Sequence, residues 1–299
     1  VSFQVAYTGD FVMRERLDVR VVSELAEHVH VRAVEMVPVG RATNGIVDDN
    51  YLKTTSGLYP DLLKDLKDGK VIVYSRQWRS LWVDVDITNE IPAGEYEIEL
   101  QLIKEGEVVC SAKQKVTVIG TELPKLDIMH TEWMHADCLA DYYHVEVFSE
   151  EHWKLLENYF QEYVKRDCNM MLTPLFTSPL DTAIGLERTT CQLIDVEVKD
   201  GEYVFGFERW IDLCKKCGIE YFEMSHLFSQ WGAKYAPKVV ATVNGKKEKI
   251  FGWHTPAVGE YTKFLESFLP QLTAKLREWE IADVTYFHIS DEPREEHLE

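Results

Sequence analysis

The sequence predicts a multidomain β and α/β protein. A β-sandwich covers residues 1–120. Residues 121–299 hold the N-terminal part, about four strands, of a (β/α)8 TIM-type barrel. Three observations lead there. The first 120 residues alternate polar and apolar side chains with a period of two and hold no long helical pattern. From about residue 121, strand patterns alternate with helical ones. The segments after the second and third of those strands are long and contain hairpin turns, the elaboration with which barrels build one functional face.

In the first domain, "SLWVDVDIT" (80–88) sets Leu81, Val83, Val85 and Ile87 on one face, and Trp82, Asp84, Asp86 and Thr88 on the other. "EYEIELQL" (95–102) does the same with Tyr96, Ile98, Leu100 and Leu102. Such alternation belongs to a sheet with one wet face, and several such strands make a sandwich. "KEGEVV" (104–109) reads as a hairpin turn, and "YPDLLKDLKDGK" (59–70) as one helical excursion. The tryptophans and tyrosines here are expected mostly as core or as interface with the second domain, rather than as a carbohydrate-binding module.

In the second domain the first strand is expected at "KLDIMH" (125–130). A helix follows in "SEEHWKLLENYFQEYVKRD" (149–167). Ser149 is its N-cap, Glu150 and Glu151 sit in its electropositive first turn, and Trp153, Leu156, Phe160 and Tyr163 form its apolar stripe. Strand two is "NMMLTPLF" (169–176). Helix two is "FERWIDLCKKCGI" (207–219), stopped by Gly218. Strand three is "EYFEMSHLF" (220–228), helix three spans 259–279 with Pro270 inside it, and strand four is "VTYFHIS" (284–290). Hairpin turns are expected at Asp200-Gly201 and Asn244-Gly245. No glycine-rich phosphate loop follows the first strand, which speaks against a nucleotide-binding sheet. A complete barrel takes about 250 residues, more than follow residue 120, so the natural protein is expected to continue past residue 299.

Apolar residues make up 45% of the chain, enough for packed cores, and 32 basic against 51 acidic residues leave a net charge of −19. Such a surface repels phosphate backbones, so no nucleic-acid partner is expected, while a neutral substrate is not excluded. No apolar run is long enough for a membrane span. The opening "VSFQVAYTGD" lacks the basic and apolar regions of an export signal, which favours a cytoplasmic over a secreted protein. The six cysteines are expected as thiols, and Cys214-Lys-Lys-Cys217 lacks the second pair a zinc site needs.

The chemistry concentrates in "SDEPREEH" (290–297). Locally it reads as a helix start, with Ser290 or Asp291 as N-cap and Pro293 in the first turn. Yet Asp291 and Glu292 sit at the carboxyl end of a strand, where parallel α/β folds place their chemistry. Neighbouring carboxylates can divide into one acid and one base. Glu132 and Trp133, after strand one, suit a sugar's hydroxyls and C–H faces. His226, Gln230 and Trp231, after strand three, and Trp253 further on, are candidates for the same pocket; His226 also reads as a core histidine and Trp231 as loop packing. His288 reads either as pointing into the barrel to orient a carboxylate or as filling a core layer, with core filling preferred. His130, Glu132, His135 and Asp137 form an alternative, a metal centre activating water.

"YFHISDEP" resembles the catalytic signature of glycoside hydrolase family 123, the β-N-acetylgalactosaminidases. So do "PLFTSPLDT" (174–182), "CQLIDVEVKDGEYVF" (191–205), "IEYFEMSHLFSQWGAKYAPKVVATVNG" (219–245), "IFGWHTPAVGEYTKFLESFLP" (250–270) and the sandwich before them. The resemblance implies an exo-acting, retaining glycosidase that removes terminal β-linked N-acetylgalactosamine from a glycolipid or glycan, with no cofactor and no metal. It implies Glu292 as general acid and base. Asp291 would orient the substrate's own 2-acetamido group, which acts as the nucleophile. The preference for the galacto sugar rests on the resemblance alone. A metal-dependent barrel hydrolase using His130 and His135, or a non-catalytic sugar-binding protein, are the alternatives.

Overall fold

The structure is a computed structural model. It describes every residue except 44, 46, 48, 49, 126, 181, 183, 184, 208, 290, 293, 294 and 296–299. The helix start expected over Ser290 and Pro293 lies outside the described residues. The chain divides into two compact units, Val1–Pro124 and Lys125–Glu299.

Among the described residues the first unit holds eight strands: β1 (Ser2–Tyr7), β2 (Glu15–Val22), β3 (Val29–Val39), β4 (Gly57–Asp65), β5 (Lys70–Val73), β6 (Arg79–Val85), β7 (Gly94–Lys104) and β8 (Glu107–Val118). They form two antiparallel sheets of order β1-β6-β3-β4 and β5-β2-β7-β8. The period-two faces meet between them. Leu81, Val83, Val85, Ile98, Leu100 and Leu102 are buried together with Leu17, Val71 and Val73. Ile87 is the exception; it lies past the end of β6 and is exposed. Glu105 and Gly106, both at positive φ, make the expected β7–β8 turn. The helix expected over 59–70 is instead β4 and a short 3-10 turn, Lys67–Gly69. Its pairing with β3, through a bulge at Glu35/Met36, outweighs the local helical spacing.

The second unit contains, in chain order, α1 (Ala136–Tyr143), α2 (Glu150–Val164), β9 (Met170–Thr173), β10 (Ile194–Lys199), β11 (Glu202–Phe207), α3 (Trp210–Cys217), β12 (Tyr221–Met224), β13 (Val239–Val243), β14 (Lys246–Phe251), α4 (Glu260–Glu278) and β15 (Thr285–Phe287). Ser149 caps α2 by accepting from the His152 N–H, and Trp153, Leu156 and Phe160 are buried. Gly218, at φ 97°, ends α3. α4 runs as one element through Pro270. Three of the four expected strands form a parallel sheet of order β15-β12-β9. Adjacent parallel strands joined by helical crossovers are common to barrels and open sheets, so this sheet alone does not decide between them.

The strand expected at 125–130 is not formed among its described residues. The Asn169 side chain accepts from the His130 N–H (2.8 Å) and donates to the Ile128 carbonyl (3.0 Å), taking the backbone groups that a ladder would use. The two expected hairpins do form, with Asp200, Gly201, Asn244 and Gly245 all at positive φ. They join through a parallel β10–β13 contact into a second sheet of order β11-β10-β13-β14. Trp210, Tyr261, Phe160, Phe222, Phe264 and Phe268 fill the common core. All six cysteines are free. Among the described residues, no helix is long and apolar enough to cross a membrane.

Candidate active site

β12 is the centre of the parallel sheet, and its four residues divide by face. Phe222 and Met224 enter the hydrophobic core, while Glu223 points to the opposite side. Glu223 is 8% exposed, and a buried carboxylate needs partners. It has two: Trp133 Nε1 donates to Oε2 and His288 Nδ1 to Oε1, both at 2.9 Å. A carboxylate only accepts, so His288 carries its proton on Nδ1. Trp133 comes from the segment before α1, and His288 directly follows β15. One acid on the central strand thus ties together three separate stretches of chain.

His226, just past β12, completes this cluster. Its ring lies 3.9 Å from that of His288 and 5.3 Å, edge-on, from Trp133. It is fully buried, and neither ring nitrogen has a hydrogen-bond partner among the described residues. Burial, and then the neighbouring His288, push its pKa down to about 4, with Asp291 acting in the other direction. His226 is therefore neutral and closed off from solvent, beneath the site rather than on its surface.

The carboxylate pair is held from the loop after β12. Gln230 Nε2 donates to Asp291 Oδ2 and Trp231 Nε1 donates to Glu292 Oε2, both at 2.7 Å. The Trp231 backbone N–H adds a bond to the Asp291 carbonyl at 3.2 Å. Trp231, Ala233 and Glu292 all adopt positive φ, so the backbone is strained on both sides of this clip. Asp291 is half-buried and Glu292 exposed.

The remaining expected residues do not join this cluster. Glu132 is exposed; its carboxylate meets His130 at 3.4 Å, while its backbone is fixed by the Tyr163 hydroxyl. Trp253 packs near Tyr235 beside a small cavity lined by Thr177, Ser178 and Pro179. The alternative metal centre is not assembled either. The His130 ring meets the Asp167 carbonyl, Cys168 and Glu132, and no group of potential metal ligands among the described residues contains His130 or His135. The group that could hold a cation is His226, His288 and Asp291, whose ligand atoms lie within 4.8 Å of one another. Sequence reasoning missed Glu223 altogether, although a lone acid inside the apolar strand "YFEM" was the available signal.

A family profile, glycoside hydrolase 123, catalytic domain, matches residues 133–299, a stretch that takes in the whole cluster. The chain belongs to glycoside hydrolase family 123. A solved family 123 glycoside hydrolase from Clostridium perfringens, described in work on glycolipid glycan hydrolysis, superimposes with a TM-score of 0.75 at 16% identity. That match covers 100% of this chain and 53% of the other, so this chain spans about half the length of that family 123 relative. A second solved chain, from Bacteroides vulgatus and assigned only provisionally to the glycoside hydrolases, reaches a TM-score of 0.28 at 12% identity over 92% of this chain and 48% of its own. No curated protein sequence matches.

Proposed function

We propose that this family 123 chain forms the acid–base half of a retaining exo-glycosidase that removes terminal β-linked N-acetylgalactosamine from a glycolipid or glycan. In this reading residues 121–299 are the first part of a (β/α)8 barrel and residues 1–120 its accompanying sandwich. The clip that joins Gln230 and Trp231 to Asp291 and Glu292 carries the proposal, because it fixes both carboxylates by one oxygen each, and in this reading the other oxygen of each serves the substrate.

The chemistry follows from that division. The Trp231 indole N–H on Glu292 Oε2 favours placing the acid's proton on Oε1. That proton goes to the glycosidic oxygen as the carbonyl oxygen of the substrate's 2-acetamido group attacks the anomeric carbon and the aglycone leaves. The Oδ1 of the Asp291 carboxylate accepts the acetamido N–H and stabilises the positive oxazolinium-like intermediate. Glu292, now a carboxylate, removes a proton from water, which opens the intermediate at the same carbon. Two displacements retain the configuration. The exposed face of Trp133, held by Glu223, offers a stacking surface for the sugar ring.

The test is hydrolysis of 4-nitrophenyl β-N-acetylgalactosaminide beside its gluco counterpart, by the natural protein and its Glu292→Gln and Asp291→Asn variants, with and without EDTA. Turnover of the galacto substrate that both substitutions abolish and EDTA leaves intact is expected. Full activity in Glu292→Gln would refute the assignment, and loss in EDTA would favour a metal centre.

A further inference from the structure

The two sheets of the first unit part on the side where β4 and β5 are the outer strands, and a cavity of about 390 Å³ opens between them. Its floor is apolar and aromatic, with Val34, Leu66, Val71, Tyr7 and Tyr74. Its rim is cationic: Arg14, Arg16, Lys64, Lys67, Lys70 and Arg79 surround it, and Glu35 and Asp65 are the acids that line it. In a chain of net charge −19 this is a local reversal of sign. Arg16 and Lys70 have carboxylate partners, Asp68 and Asp18. Arg14, Lys64 and Lys67 have no ion-pair partner among the described residues. The Arg79 guanidinium lies 5.0 Å over the Tyr74 ring.

Like charges around one concavity repel each other, and an anion held among them relieves that repulsion. Guanidinium forks match sulfate and carboxylate oxygens in pairs, and aromatic rings take the C–H face of a sugar. We propose that this cleft binds an anionic sugar, a sulfated or carboxylated unit of a glycan, with the charged substituent on the rim and the ring against the floor. A bare inorganic anion would leave the apolar floor unused, and a flat bilayer surface does not enter a cleft between two sheets. The proposal is independent of the hydrolase reading, and the two can fail separately.

The experiment is calorimetric titration of the 299-residue chain with a sulfated tetrasaccharide, its desulfated counterpart, inorganic sulfate, and anionic phosphatidylglycerol vesicles. The sulfated sugar is expected to bind, more weakly as salt rises. The Arg14→Glu/Lys64→Glu variant should lose about tenfold or more, since each contact removed is a hydrogen bond to a charged group. Glu292→Gln should bind as the parent does. Both reversed side chains are exposed. If the double variant nonetheless fails to fold, Lys67→Ala carries the comparison with a smaller loss. Equal binding of the desulfated sugar, equally tight binding of inorganic sulfate, binding to vesicles alone, or no binding at all would each overturn the proposal.

Discussion

Replacing Glu223 by Gln tests the centre of the site without changing its shape. The carboxylate is 8% exposed and accepts from the Trp133 indole and from His288 Nδ1 at 2.9 Å each. A carboxamide offers one accepting oxygen and one NH2 group that only donates. If its oxygen serves Trp133, its NH2 group faces the Nδ1–H of His288, and that proton must move to Nε2 or the contact is lost. At least one hydrogen bond to a charged group disappears, worth about 1.5–3 kcal/mol. Six of the eight tryptophans lie beyond residue 124, so urea unfolding followed by tryptophan fluorescence reports mainly on the second unit. The loss should appear there. A double-mutant cycle with His288→Phe should return a coupling of about 1 kcal/mol or more. Additivity within about 0.5 kcal/mol would show that the Glu223–His288 contact does not exist in solution and would refute the reasoning.

Other perturbations follow from the same geometry. Asp137→Asn replaces one side of a buried pair in which Arg188 donates through Nε at 2.7 Å and Nη2 at 2.9 Å, turning charge-assisted hydrogen bonds into neutral ones; a loss of about 1.5–3 kcal/mol is expected in the same unfolding experiment. Gly218→Ala places a β-carbon at φ 97°, where its nearest neighbour, Val164, is at an ordinary 3.6 Å; the cost is therefore one of backbone strain, about 1–2 kcal/mol. His226 has a folded-state pKa of about 4, below its ordinary 6.5, so the unfolded chain takes up a proton first. Its contribution is intact above pH 6.5 and is lost as pH falls from there to about 4, by up to about 3 kcal/mol. His226→Gln should flatten that part of the stability profile.

What the sequence disclosed depended on whether the information was local. Leu81, Val83 and Val85 could be assigned to the core because alternation along one strand needs no knowledge of its neighbours. Ser149 and Gly218 could be placed because caps answer to groups within a single turn. The stretch 59–70 misled because its leucines recur at helical spacing, while the β3 strand that claims it lies more than 20 residues earlier in the chain. The strand expected at 125–130 failed for a related reason: the competing bonds come from Asn169. α1 offered little to read, being eight residues long and started by His135 without a side-chain cap. At the site, Asp291, Glu292, Gln230 and Trp231 were legible as chemistry next to strand ends, but their pairing across about 60 positions was not. Glu223 makes the same point from the other side. An acid between Phe222 and Met224 is costly unless something answers it, so the sequence did announce a buried partner. It could not say that the partner would be double, with Trp133 from one direction and His288 from the other. That double tie makes the floor beneath the carboxylate pair depend on three distant stretches of chain at once, so a change at Glu223 should reach both the stability of the sheet and the surface offered to a sugar.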